Sequence, residues 1–386
     1  MKKTVEEINL KIKEGKAVVL TAEEINTYVC ENGIKKTLEN VDVVTTATFG
    51  PMCSSGAFIN FGHTNPPIKM NNVLLNGVPA YSGIAAVDAY IGATETSSSK
   101  GDEYGGAHVI EDLIAGKDVY LEAKGACTDC YPKKEIKTYI NKNNLNQAYM
   151  FNPRNAYQNY VAAINSSDKT LFTYMGTLLP KMGNVNYSTS GELSPLLNDP
   201  NLSTIGIGTK MFLGGADGYV AWEGTQHNPV QRRGENSVPI GPAGTLSLIG
   251  NIKEMNARYI RAGVFEKYGI TLYVGIGIPI PILNEEILKG VCVKNSEIFT
   301  NIIDYSVSDG ARPVIKTVSY QDLQSGYVEI EGKSVRTSSL SSLKMAREIA
   351  DVLKERISNG IFELTNSISK LPTQNKISKL EERGVK

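Results

Sequence analysis

Two apolar patterns alternate along the chain, one at helical spacing and one in short β-branched runs. Residues 4–14 set Val5, Ile8 and Ile12 among charges, with Thr4 and Glu7 spaced as a capping box and Gly15 as a stop, so a first helix is expected there. Ala17-Val18-Val19-Leu20 reads as a short buried strand, and Thr21 with an acidic first turn opens a second helix. The run 41–49 is β-branched and predicts a strand that ends at Gly50-Pro51. A helix over 106–114 and a strand over 117–123 follow, and Lys133 to Ile140 is expected to restart a helix after Pro132. Leu343, Ala346, Ile349, Ala350, Leu353 and Ile357 recur at helical spacing and define a strongly amphipathic helix. From about Leu371 the chain turns polar. With no internal repeat and no low-complexity linker, the pattern predicts one large mixed domain, α/β or α+β, over 1–370, with functional loops at strand ends and a polar tail over 371–386.

Composition narrows the classes. Of 386 residues, 41% are hydrophobic and 21% charged, as in an ordinary globular protein. Lys+Arg and Asp+Glu are both 40, so no basic field points to nucleic acid or to an anionic membrane surface. The N-terminus has no secretory pattern, and no run approaches a membrane span, so the expected location is the cytoplasm.

Cysteine carries the candidate chemistry. Five are present: Cys30, Cys53, Cys127, Cys130 and Cys292. Cys30 and Cys292 lie in apolar runs and read as packing residues. Cys53 follows a predicted strand, in Gly50-Pro51-Met52-Cys53-Ser54-Ser55-Gly56, where small neighbours leave the sulfur approachable. Cys127 and Cys130 follow a second predicted strand, and a shared sheet edge could bring the thiols together, which the geometry allows without requiring it. With three histidines and no second close cysteine pair, the Cys127-x-x-Cys130 spacing is half a zinc site, and no metal is expected. Gly206-Ile207-Gly208 and Gly275-Ile276-Gly277 both lack the third glycine of a dinucleotide fingerprint, and no phosphate loop exists. The polar stretch 223–235 offers His227, Arg232 and Arg233, whose forked guanidinium groups suit a carboxylate. His63 follows Cys53 by ten residues.

The run from Thr46 through Cys53 to His63 resembles the homocysteine-biosynthesis, sulfur-incorporation family of methanogens and anaerobic bacteria. So do Thr128-Asp129-Cys130-Tyr131-Pro132, Gly206 to Gly215, Gly224-Thr225-Gln226-His227 and the closing stretch from Ala346 to Thr365. The resemblance spans about residues 4–372. It implies transfer of sulfur from sulfide or another donor to L-aspartate semialdehyde, with two-electron reduction to L-homocysteine. It maps the two functional thiols onto Cys53 and Cys130, the first as a persulfide, and leaves Cys127 as an extra residue. It implies no bound cofactor and a separate low-potential donor of ferredoxin type; homo-oligomers are compatible with it. Within that expectation Arg232 or Arg233 holds the substrate carboxylate, His227 or His63 protonates the aldehyde oxygen, and Ser54 and Ser55 with nearby backbone N–H groups line an oxyanion site. The rival readings are a thiol enzyme acting on another carbonyl, and a non-catalytic redox or metal-binding module.

Overall fold

A computed structural model describes residues 2–308, 312–374 and 377–384. Of the polar tail expected over 371–386, residues 375–376 and 385–386 lie outside the described residues. The architecture is a mixed α/β fold dominated by strands.

The first helix, Val5–Lys13, begins where its capping box places it: the Thr4 hydroxyl accepts from the Glu7 amide at 3.2 Å, and the Glu7 carboxylate accepts from the Thr4 amide at 2.8 Å. Thr21 and Glu24 repeat this exchange ahead of the helix Glu24–Asn40. The predicted strand Val43–Pro51 pairs in parallel with Val19–Thr21 on one side and antiparallel with Gly269–Pro281 on the other. These open a sheet of ten strands that continues through Lys210–Leu213, Ala216–Glu223, Leu246–Asn251, Gln147–Asn155, Gly56–Asn60 and Asp88–Gly92, with Ile260–Phe265 branching from Gly269–Pro281.

Val43–Pro51 and Gly56–Asn60 stand six positions apart in that order, yet only residues 52–55 join them. In a flat sheet the gap would be about 29 Å. Four linking residues reach at most about 18 Å. The sheet must therefore curl back on itself, and the link carrying Cys53 is where the curl nearly closes. The terminal helix Leu343–Ser358 packs its predicted apolar face against Val43–Pro51 and Gly269–Pro281. Gly275 and Gly277 make that seat, since a Cβ on Gly275 would stand 2.7 Å from Ile349 Cδ1. This dinucleotide-like Gly-x-Gly therefore serves helix packing.

A second sheet of six strands has its own core around Ile164, Val185, Ile302 and Tyr320. A third, of four strands, includes Val119–Gly125 and Glu135–Ile140. Here the helix expected over 133–140 is corrected: Glu135–Ile140 is a strand, antiparallel to Val119–Gly125 from Glu135↔Lys124 to Ile140↔Val119. Ile136, Thr138 and Ile140 are β-branched, and a hairpin partner six residues long outweighs local helix preference. No described helix is long and apolar enough to cross a membrane.

Candidate active site

The link between Pro51 and Gly56 is clamped from two sides. The Met52 amide donates to Leu272 O at 2.7 Å. Asn152 accepts from the Ser54 hydroxyl at 2.9 Å through Oδ1 and donates to Ser55 Oγ at 2.8 Å through Nδ2. The Ser54 hydroxyl also reaches Arg154 O at 2.7 Å, and the Ser55 hydroxyl donates to Met52 O at 2.7 Å. Both serine hydroxyls therefore shape the turn, and Cys53 stands exposed at its crest as a free thiol. The amides of Cys53 and Ser54 donate to no group among the described residues.

Cys53 opens onto a cavity of about 300 Å³ at the seam between the main sheet and the second sheet. Ser54, Arg154, Tyr157, Gln226, Tyr268 and Thr271 line it from the first side, and Tyr160 and Leu340 from the second, with Tyr174 and Met175 at the turn of the separate hairpin Leu171–Thr173 and Gly176–Leu178. The volume suits a small metabolite. Burial raises the hydroxyls of Tyr157 and Tyr268 above the ordinary tyrosine range, and both lie in the field of Cys53. They are therefore protonated donors at neutral pH. Behind them Tyr174 joins Tyr305 at 2.9 Å.

Of the residues expected to join Cys53 from sequence, Ser54 alone lines this cavity. Cys130 sits exposed in the hairpin loop 126–134, tied by Ala126 N to Lys69 O and Lys133 N to Pro67 O. His63 is in that second neighbourhood, its ring stacked on Tyr131 at 5.9 Å. Cys53 thus precedes the strand Gly56–Asn60 and the Cys130 loop lies beyond its other end, with a strand of about 13 Å between. A disulfide requires Cα atoms within about 7 Å. The strands that lead into the two thiol turns belong to different sheets, so the shared sheet edge that could have joined them is not formed. Cys127 sits in the left-handed region at φ 53 and its thiol contacts Gly125 O at 3.4 Å.

The 223–235 stretch serves structure. His227 is buried, accepts from Thr245 N at 3.0 Å through Nδ1 and meets Pro372 O at 3.0 Å through Nε2. Arg233 donates to Pro200 O, Ser237 O and Pro229 O, and burial lowers its pKa. Arg232 is exposed and outside the Cys53 cavity. Cys292 is partly buried as a packing residue, its thiol pushed up to about 11 by burial, whereas Cys30 is exposed, against expectation. Among the described residues no cluster of His, Cys, Asp or Glu could hold a metal.

Sequence reading missed Arg154, Tyr157, Gln226 and Tyr268. Arg154 had one legible signal: Pro153, which lacks a ladder donor, interrupts an otherwise regular strand.

The comparisons with known proteins agree with one another. The family model described as "homocysteine biosynthesis enzyme, sulfur-incorporation" matches residues 17–364. A Methanosarcina acetivorans protein named L-aspartate semialdehyde sulfurtransferase is 51% identical, covering 99% of this chain and 74% of its own. A Methanocaldococcus jannaschii protein of the same name is 52% identical, covering 96% of this chain and 73% of its own. An uncharacterized protein of Methanothermobacter thermautotrophicus is 31% identical over 84% of this chain and 72% of its own. No solved structure matches significantly.

Proposed function

The chain belongs to the homocysteine-biosynthesis, sulfur-incorporation family, and from that premise we propose that it is an L-aspartate semialdehyde sulfurtransferase that makes L-homocysteine. The observation that carries this reading is the exposed Cys53 thiol at the mouth of a metabolite-sized cavity. Cysteine is the side chain best suited to attack a carbonyl or relay sulfur near neutral pH.

In this reading sulfide attacks Cys53 Sγ of a Cys53–Cys130 disulfide, giving the Cys53 persulfide and the Cys130 thiolate without outside electrons. The outer sulfur adds to C4 of the semialdehyde, and the aldehyde oxygen takes up a proton. The amides of Cys53 and Ser54 and the hydroxyls of Tyr157 and Tyr268 are the donors available to that oxygen. Cys130 then attacks Cys53 Sγ, re-forms the disulfide and expels the substrate as a geminal hydroxythiolate. Loss of hydroxide, taken up as water, leaves a thioaldehyde. Two electrons and two protons from an external low-potential donor of ferredoxin type reduce it to the thiol. The net change is semialdehyde plus H₂S plus two electrons and two protons to homocysteine and water.

Because the two thiol loops of one copy lie at opposite ends of Gly56–Asn60, Cys130 reaches Cys53 from a second copy of the chain in this scheme. The test is anaerobic homocysteine formation from L-aspartate semialdehyde, sulfide and a strong low-potential reductant. Activity that requires Cys53 supports the reaction, and absence of product in the wild type overturns it. Mixed Cys53→Ser and Cys130→Ser chains should regain activity that neither has alone. No recovery would overturn the cross-copy exchange.

A further inference from the structure

We infer that Arg154 is the carboxylate-binding residue of the Cys53 cavity, placed to hold an anionic substrate with its far end at the thiol. This deepens the sulfurtransferase reading and rests on it for the identity of the substrate.

The backbone brings Arg154 there. Against Leu246–Asn251, the strand Gln147–Asn155 steps from Asn152↔Leu248 to Asn155↔Leu246, three residues against two. This is a bulge, and a bulge re-aims a side chain. Pro153 sits in it without an N–H to lose, and its carbonyl accepts from Thr225 at 2.8 Å. Asn152 Oδ1 accepts from the Arg154 amide at 3.0 Å, and Arg154 O accepts from Ser54. The turn that presents Cys53 and the bulge that presents Arg154 are thus tied together by one amide side chain.

Electrostatics assigns the role. Among the described residues Arg154 is the one charged side chain lining the cavity, and none of those lining it is Asp or Glu. Its guanidinium donates no hydrogen bond to the described residues. Tyr157 lines the same cavity and feels the charges of both Arg154 and Cys53. A second group points to a ligand independently: Thr271 is 1% exposed, lines the same cavity, and its buried hydroxyl has no partner among the described residues. Buried polar groups left unpaired are rare and mark places where a ligand or water completes the bonding. A guanidinium fork pairs bidentately with a carboxylate. In an α-amino acid with an aldehyde at C4, the carboxyl and aldehyde carbons are about 4 Å apart. A small molecule held by its carboxylate at Arg154 thus turns its carbonyl to Cys53, and the ring faces of Tyr157 and Tyr268 remain for its ammonium group.

Alkylation of Cys53 tests this without knowledge of the natural substrate. Iodoacetate carries a carboxylate and iodoacetamide does not, and peptide mass spectrometry reads Cys53 apart from the other thiols. The expected result is a Cys53 iodoacetate-to-iodoacetamide rate ratio above that of Cys130 in the same protein. Arg154→Ala should lower it about 10- to 100-fold, Arg154→Lys should restore part of it, and Arg232→Ala should leave it unchanged. A ratio equal in wild type and Arg154→Ala overturns the assignment. If the ratio behaves as expected while L-aspartate semialdehyde is not turned over, carboxylate recognition stands and the sulfurtransferase reading falls. If both hold, Arg154→Ala should raise KM for the semialdehyde by a similar factor with a smaller change in kcat.

Discussion

The chain presents two exposed thiol turns, each after a strand, and they differ in what stands around them. Cys53 is backed by a cavity with a guanidinium, tyrosine hydroxyls and an unpartnered threonine hydroxyl. Cys130 stands on a hairpin loop beside Cys127, with Tyr131 and His63 stacked nearby and no share in that cavity. The first turn has a cavity that can hold a small molecule against its sulfur, and the second stands open to exchange with another sulfur that comes to it. A thiol becomes a site through the groups that converge on it.

The sharpest way to break this contrast is to remove each thiol. Cys53→Ser should lower homocysteine formation by on the order of 10³-fold or more. Cys130→Ser should block turnover yet leave Cys53 protected from alkylation by the semialdehyde, and loss of that protection would show that the two turns form one site. Cys292 supplies the reference of a thiol with neither role. Burial raises its pKa from 9.0 to about 11, so below pH 9 its thiolate is about 100-fold scarcer than that of an ordinary thiol. Its alkylation rate in the folded protein should climb about tenfold per pH unit and level off only above pH 11. Denaturant should erase the difference, and equal rates at pH 8 before and after unfolding would contradict the burial.

A smaller effect tests the clamp. Asn152→Ala removes the side chain that holds Ser54, Ser55 and the Arg154 amide. It should cost about 1–3 kcal/mol in urea unfolding and loosen Cys53 and Arg154 together, with a fall in turnover of roughly tenfold. Unchanged turnover would show that the turn holds its shape without the clamp. The least effect belongs to Cys127→Ser, which should stay within about twofold, since its thiol makes only a weak local contact.

Much of the fold was legible because it is written in local chemistry. The capping box of Thr4 and Glu7, the β-branched run into Pro51 and the apolar stripe from Ala346 to Ile357 each act within a few residues, and each forms as its pattern predicts. The segment 133–140 misled because its hairpin partner, Val119–Gly125, supplies hydrogen bonds that no local window contains. His227 and Arg233 misled for a related reason. Polar residues in a glycine-broken stretch look available, but they are occupied by the Thr245 amide and by the carbonyls of Pro372, Pro200 and Pro229.

By itself the sequence determined the family, the element types over most of the chain, and Cys53 as an approachable thiol after a strand. Those rest on residue identity and on spacing within a few positions. Tertiary structure alone decided that the sheet curls so far that residues 52–55 span its gap, that the bulge at Pro153 brings Arg154 to the cavity of Cys53, and that Cys130 stands at the far end of the intervening strand. Each of these depends on which distant strands pair and in what register, and a one-residue change of register moves a side chain to the opposite face.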